Sequence, residues 1–180
     1  MDMLNFEAFH TLGFFHGSIP EVDNTKFKKH ILKTKTPYKK DEHFNRYEDT
    51  QFPMCKEFGQ VLDHVRQNYY EVTRKKVELV NFWSHIHQTN MSTSTHAHIT
   101  DNDFESARHI TGVYYVAVPK GSGDFVIVYP YNRFVIREKH LTPQDGKFIL
   151  FSSAFEHYVT RNMSRQPRIS VSFNFKLLDD

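Results

Sequence analysis

Cysteine is nearly absent from this chain of 180 residues, which contains only Cys55. One cysteine excludes an internal disulfide, and it also excludes the paired thiolates of a zinc ribbon or an iron–sulfur cluster. Apolar runs stay well short of the roughly 18 residues that a membrane-spanning helix needs. The N-terminal stretch MDMLNFEAFH lacks the basic start and apolar core of a signal peptide. These absences predict a cytoplasmic protein in a reducing compartment, with no membrane partner.

Glycine and proline are also scarce, at seven each, which excludes collagen-like and low-complexity chains. In contrast, 17 Phe and nine Tyr argue against disorder. Lys and Arg number 23 against 21 Asp and Glu, a net charge of +2 that argues against a nucleic-acid partner. Since domains usually span roughly 100–200 residues, we predict a single domain over residues 1–180.

The periodicity of apolar residues divides the chain into two parts. Residues 1–76 form a helical part, with helices predicted at 22–33, capped by Asp23 or Asn24, and at 54–74. Residues 77–180 change to short strands separated by turns. The predicted strands are 77–83, 93–99, 109–119, 125–129, 134–138, 147–151, 157–160 and 168–175. This order predicts a mainly β protein, a double-sheet jelly roll with the N-terminal helices packed on one sheet.

The last predicted strand alternates strictly between polar and apolar residues. Its polar face carries Arg168, Ser170, Ser172 and Asn174, and its other face is apolar. The apolar face must pack against a core, so the polar face lies towards a wet cavity or solvent. An Arg guanidinium matches the geometry of a carboxylate, and Ser170 adds a hydroxyl on the same face. The pair predicts a carboxylate site, with a surface ion pair as the alternative.

Histidine is abundant, with 12 residues, and two H-x-H pairs stand close together in the chain. The pairs are His85/His87 and His96/His98. Residues two apart on a strand share a face, so either pair could present two imidazoles to one metal ion. His157 is the best candidate for a third ligand. A facial set with open positions is typical of non-haem iron, although solvent-facing histidines on one sheet face give the same pattern.

Several motifs together carry a family resemblance. They are TGVYYV at 111–116, GKFILF at 146–151, His157 and RISVSFN at 168–174, with Trp83 and the His96/His98 pair ahead of them. From about residue 77 to residue 176 the chain resembles the Fe(II)/2-oxoglutarate-dependent oxygenases. It is similar in particular to a subgroup common in phage and marine bacterial sequences, which is related to the prolyl hydroxylases.

The resemblance implies a double-stranded β-helix, the eight-stranded cupin-like jelly roll of that superfamily. It also implies Fe(II) held by His96, by a second ligand from the same motif, which we assign to His98, and by His157. The superfamily usually supplies a carboxylate through H-x-D or H-x-E, and neither motif occurs in this chain. If the H-x-H pair is used, His98 takes the carboxylate position and leaves the site one charge more positive.

The sequence is also compatible with other arrangements of the metal site. Asp101 or Asp103, in a segment at 100–108 that looks like an inserted loop, is an alternative to His98 as the third ligand. Water or chloride is another. The His85/His87 pair is the runner-up to His96/His98.

The resemblance further implies 2-oxoglutarate as co-substrate. Its far carboxylate meets Arg168, assisted by Ser170 and by Tyr114 or Tyr115, of which we assign Tyr114. The two tyrosines point to opposite faces, so one lines the cavity and the other packs. The implied reaction consumes 2-oxoglutarate and oxygen, releases succinate and carbon dioxide, and hydroxylates a C–H bond. No catalytic side chain is assigned beyond these ligands, and the substrate is an unidentified small molecule or protein side chain.

Two other classes of function fit the same pattern. A cupin-like module would bind a metal or small ligand without oxygenase activity, and an interaction protein would bind no metal at all. Fold alone does not separate these classes. An exposed jelly-roll edge strand also predicts a homodimer.

Overall fold

The computed structural model describes residues 13–37, 48–99, 108–132 and 134–178. Over these residues the chain forms two helices and eleven strands. The helices are α1 (Asn24–Thr34) and α2 (Lys56–Thr73). The strands are β1 (Phe15–Ser18), β2 (Thr36–Pro37), β3 (Glu48–Gln51), β4 (Val77–His87), β5 (Thr93–His96), β6 (Ile110–Ala117), β7 (Phe125–Asn132), β8 (Val135–Leu141), β9 (Lys147–Ser152), β10 (Glu156–Val159) and β11 (Arg168–Leu177).

Two antiparallel sheets face each other. In the described part of the chain the larger sheet has seven strands, in the order β1-β9-β6-β11-β4-β3-β2, and the smaller has four, in the order β5-β10-β7-β8. Strands β4 to β11 divide four and four between the sheets, which is the eight-stranded double-stranded β-helix. The predicted fold class is therefore confirmed.

Both helices form where the sequence predicts them. Asp23 caps α1, because its carboxylate accepts a hydrogen bond from the backbone N–H of Lys26 at 3.0 Å. Helix α2 ends at Arg74, which takes the left-handed conformation with φ 61°. Its buried stripe is the predicted one: Phe58, Val61, Leu62, Val65 and Tyr69. Neither helix, within the residues described, is long and apolar enough to cross a bilayer.

Strand β11 lies at the centre of the larger sheet, between β6 and β4. Its apolar residues pack against the helices: Ile169, Val171, Phe173 and Phe175. Its polar residues are buried as well. They therefore face the interior of the β-helix rather than solvent, and this burial makes the polar face a candidate site.

The N-terminal part differs from the helical prediction in one respect. It also supplies β1, β2 and β3, which extend the larger sheet at both edges. These strands have two to four residues, too short for an alternating pattern to stand out from the sequence. The division into a buttress over 1–76 and a core over 77–180 remains a prediction.

Gly112 of β6 lies directly across the ladder from Phe173 of β11, on the face of the larger sheet that the helices cover. A Cβ added at Gly112 would lie 2.1 Å from Cε2 of Phe173, whose ring is fully buried. We expect Gly112→Ala to lower the free energy of unfolding by about 1–3 kcal/mol through overpacking. Thermal or denaturant unfolding measures this change.

Gly59 in α2 provides the control, because a Cβ added there meets nothing within 4 Å. Gly59→Ala should raise the free energy of unfolding by roughly 0.5–1 kcal/mol through helix propensity. A Gly112→Ala protein as stable as the wild type would contradict the close packing.

Candidate metal and co-substrate site

Three histidines converge at one end of the smaller sheet. His96 at the end of β5 and His157 in β10 are cross-strand partners. The backbone N–H of His98 donates to Ser153 O at 2.9 Å, which returns the chain beside them. One ring nitrogen from each histidine lies within 4.8 Å of the others. Among the residues described, this is the one such group of His, Cys, Asp or Glu side chains.

The three rings share one orientation, in which Nδ1 faces an oxygen atom of the surrounding protein. Nδ1 of His96 lies 2.9 Å from Ser94 O, and Nδ1 of His157 lies 2.9 Å from Phe155 O. Nδ1 of His98 lies 3.0 Å from Oδ1 of Asn174. An oxygen of this kind only accepts, so each Nδ1 carries the proton and each Nε2 keeps its lone pair.

Two of these lone pairs face each other. Nε2 of His96 and Nε2 of His98 are 3.3 Å apart. Neither nitrogen can donate to the other, so this approach is repulsive unless a cation accepts both lone pairs. The donor set therefore fits a transition metal, and neutral imidazole suits iron, nickel, copper and zinc.

A hydrogen-bonded network holds His98 in this orientation. Asn174 donates through Nδ2 to Oδ1 of Asn81 at 2.9 Å, which turns its own Oδ1 towards His98. Thr111 donates to the same Oδ1 at 2.8 Å. Asn174 belongs to the polar face predicted for β11, but sequence reasoning did not assign it a role. Its acceptor oxygen suits a histidine at position 98 and would oppose a carboxylate there.

The electrostatics of the three imidazoles also favour metal binding. Burial lowers the pKa of His96, lowers that of His157 well below its usual range, and lowers that of His98 to about 4. The hydrogen bond to Asn174 offsets part of the shift at His98 by raising its pKa. All three rings are consequently neutral at pH 7, the form in which histidine binds a metal.

Aromatic side chains enclose the cluster. Phe125 stacks on His157 with ring centroids 5.2 Å apart, and Phe151 meets the same ring edge-on at 4.9 Å. The ring of Trp83 lies against His98 at 5.3 Å. His157 is buried, while His96 and His98 are half-buried. Access from solvent is therefore on the β5 side.

A buried cation lies further along the same inner face. Arg168 is 1% exposed, and it starts β11 on the face that carries Asn174 near His98. Its Nη1 donates to Gly123 O at 3.3 Å, but its Nε has no hydrogen-bond partner among the described residues. The negative charge of Asp124 attracts the Arg168 guanidinium. The Asp124 carboxylate also accepts a hydrogen bond from the Thr142 hydroxyl at 2.9 Å.

Tyr115 packs against Arg168. The guanidinium of Arg168 lies 5.4 Å from the centre of the Tyr115 ring. Burial raises the pKa of Tyr115 to about 12, so its hydroxyl is a donor, and that hydroxyl has no partner in the described part of the chain. Ser170, the register partner of Tyr115, is buried beside it. A cation and a donor without an acceptor fit a carboxylate.

Tyr114, the tyrosine assigned to the co-substrate site from the sequence, lies elsewhere. It points to the helices, and its hydroxyl donates to Oδ1 of Asn24 at 2.9 Å. Strand alternation separates it from Tyr115, as expected, but the inward residue is Tyr115. The choice between the two depends on which side of the sheet the helices cover.

His96 and His98 do not come together by strand alternation, contrary to the prediction from the H-x-H spacing. Strand β5 ends at His96, so His98 reaches the cluster through its own backbone and side-chain hydrogen bonds rather than by alternation. His85 and His87, the runner-up pair, do share a face of β4, but their Nε2 atoms contact hydroxyl groups of the protein. Nε2 of His85 lies 3.0 Å from Ser172 Oγ. Nε2 of His87 lies 2.7 Å from Thr93 Oγ1. Asp101 and Asp103 lie outside the described residues.

The fold and these residues define a class, a double-stranded β-helix with a centre suited to a metal ion and an acidic ligand. A family model described as "Putative 2OG-Fe(II) oxygenase" matches residues 81–174, more than half of the chain. The chain belongs to this family of 2-oxoglutarate- and Fe(II)-dependent oxygenases. It is thus an oxygenase by family, and its cofactors are iron and 2-oxoglutarate. No curated protein sequence matches it.

Solved structures share the fold at low sequence identity. A prolyl-4-hydroxylase from Pseudomonas putida is 16% identical with a TM-score of 0.66, covering 92% of this chain and 93% of that one. HygX from Streptomyces hygroscopicus, solved with nickel, 2-oxoglutarate and hygromycin B, is 13% identical with a TM-score of 0.65, covering 92% and 83%. A viral collagen prolyl hydroxylase from Paramecium bursaria Chlorella virus-1, solved as a 2-oxoglutarate complex, is 12% identical with a TM-score of 0.63, covering 92% and 96%.

Proposed function

We propose that His96, His98 and His157 hold Fe(II), and that Arg168 holds the far carboxylate of 2-oxoglutarate. The observation that carries the proposal is the buried, under-bonded guanidinium of Arg168 in the same interior as three Nε2 lone pairs. A buried cation is costly without an anion beside it, and a site that binds only a metal ion supplies no such anion.

The side chains have separate tasks in this proposal. When bound, iron supplies with oxygen and 2-oxoglutarate the oxidising chemistry that yields succinate, carbon dioxide and a hydroxylated substrate. The histidines offer lone pairs without first losing a proton. Arg168 and Tyr115 orient the co-substrate through its carboxylate, with Ser170 beside them. Phe125 and Phe151 exclude water from the buried side of His157.

The substrate is a small molecule or a protein side chain that reaches the half-buried side of His96 and His98. Both kinds occur in the names of the structural relatives, which include prolyl hydroxylases and an enzyme solved with hygromycin B. The choice between the two classes is left to experiment.

The setting of the enzyme is also a proposal. Cys55 has no partner cysteine in the sequence, which suits the reducing cytoplasm. Strand β8 forms one edge of the smaller sheet and exposes Val135 and Ile136. Arg137, Glu138 and Lys139 follow them on the same exposed strand, and we place a homodimer contact at this open edge. We assign no nucleic-acid partner.

An anaerobic titration with Fe(II) and 2-oxoglutarate tests the proposed function. We expect a saturable visible charge-transfer band that requires both components, and succinate formation once oxygen is admitted. Iron bound without a band and without affinity for 2-oxoglutarate would instead indicate the cupin-like module. Absence of iron binding would overturn the metal assignment itself.

A further inference from the structure

A carboxylate from outside the family-matched segment reaches the wall of the site. Asp49 lies on β3, directly across the ladder from His85 of β4. Its Oδ1 contacts Nδ1 of His85. Residues 81–174 match the family model, so His85 falls inside the match and Asp49 falls outside it.

His85 also contacts a residue next to the metal cluster, Trp83. Its Nε2 accepts a hydrogen bond from the indole N–H of Trp83 at 2.9 Å. Because an indole N–H only donates, Nε2 of His85 is unprotonated and the ring proton faces Asp49. The Trp83 ring then packs on His98, with ring centroids 5.3 Å apart. A continuous series of contacts thus runs from Asp49 through His85 and Trp83 to His98.

The charge of Asp49 is what the three-histidine set lacks. A set of two histidines and a carboxylate brings one negative charge to a divalent cation, whereas three neutral imidazoles bring none. The carboxylate of Asp49 contacts Nδ1 of His85, and His85 is linked to His98 through the side chain of Trp83. A negative charge in the wall of the site attracts a metal cation held by the histidines.

We propose that Asp49 is a positioning and charge-balancing residue for the metal centre: it substitutes through space for the missing carboxylate ligand and braces His98 through His85 and Trp83. This inference rests on the proposed function, because it takes the three histidines as metal ligands. Asp49 touches neither the metal nor the substrate in this role.

The test is metal affinity, measured without turnover. Trp83 is the only tryptophan of the chain and contacts His98, so Ni(II) binding should quench its emission. Calorimetry with Ni(II) gives the dissociation constant independently. We expect Asp49→Asn, which keeps an acceptor oxygen but loses the charge, to weaken Ni(II) binding by about 10-fold to 100-fold, the range typical of outer-sphere partners.

Two further variants make the test specific. Asp49→Glu retains the charge and should bind Ni(II) within about threefold of the wild type, a change smaller than the roughly 10-fold to 100-fold loss expected for Asp49→Asn. Asp63→Asn removes the same charge from an exposed position on α2 and should leave the affinity unchanged. The unfolding midpoint of each metal-free variant reports whether the fold is intact.

The outcomes separate the two proposals. If the wild type binds Ni(II) and folded Asp49→Asn binds it equally well, the role of Asp49 is overturned and the proposed function stands. Equal weakening in Asp49→Asn and Asp49→Glu also overturns the charge-balancing role. If the wild type binds neither Ni(II) nor Fe(II), the proposed function fails first and the role of Asp49 fails with it.

Discussion

Arg168→Met is expected to weaken 2-oxoglutarate binding by a large factor while metal binding persists. The guanidinium is buried, and its Nε lacks a hydrogen-bond partner among the described residues, so the co-substrate carboxylate is the acceptor it would gain. Removing one partner of a buried charged pair costs roughly 2–5 kcal/mol. That corresponds to about a 30-fold to 4,000-fold loss of affinity. Calorimetry with 2-oxoglutarate and Ni(II)-loaded protein measures the loss.

The same substitution should not destabilise the protein in the absence of 2-oxoglutarate. A buried cation with an unsatisfied donor is costly, and an apolar side chain of similar length removes that cost. We therefore expect the unfolding midpoint of metal-free Arg168→Met to equal or exceed that of the wild type. Arg161→Met, at an exposed position, is the matched control and should retain full affinity for 2-oxoglutarate.

Arg168→Lys distinguishes charge from shape at the same position. Lysine keeps the positive charge but lacks the planar fork of donors, so intermediate affinity is expected. Wild-type affinity for 2-oxoglutarate in Arg168→Met would remove the basis for the co-substrate site, whatever the behaviour of the metal.

His157→Ala is expected to eliminate metal binding. The ring is buried between Phe125 and Phe151, and it supplies one of three converging nitrogens. Losing a ligand should exceed the roughly 10-fold to 100-fold loss typical of an outer-sphere partner. In the wild type, Ni(II) should raise the unfolding midpoint by mass action and quench Trp83, and in His157→Ala it should do neither.

Two control variants distinguish the loss of a metal ligand from a folding defect. His157→Asn keeps a polar side chain in the space and should show the same loss of metal binding. His16→Ala, at an exposed position, should bind Ni(II) as the wild type does. Ni(II) bound by folded His157→Asn at wild-type affinity would show that the metal site lies elsewhere.

The sequence alone determined the architecture, because periodicity reports directly on burial. The stripe of α2 and the alternation of β11 predicted which residues pack together, and both faces of β11 proved buried. Alternation also predicted that Tyr114 and Tyr115 point to opposite faces, as the structure shows. The resemblance from residue 77 onward led to the family, which the match over 81–174 confirms. The metal and co-substrate ligands remain proposals.

Tertiary structure alone decided which of the equivalent candidates meet. A period of two states that residues share a face, but the side on which α1 and α2 pack determines that Tyr115 is inward. Both H-x-H pairs satisfy the same spacing, and only the pairing of β5 with β10 places His96 opposite His157. Asn174 contacts His98, and Asp49 contacts His85, through pairings between residues far apart in the chain. Such contacts depend on sheet order and register, which no local pattern encodes.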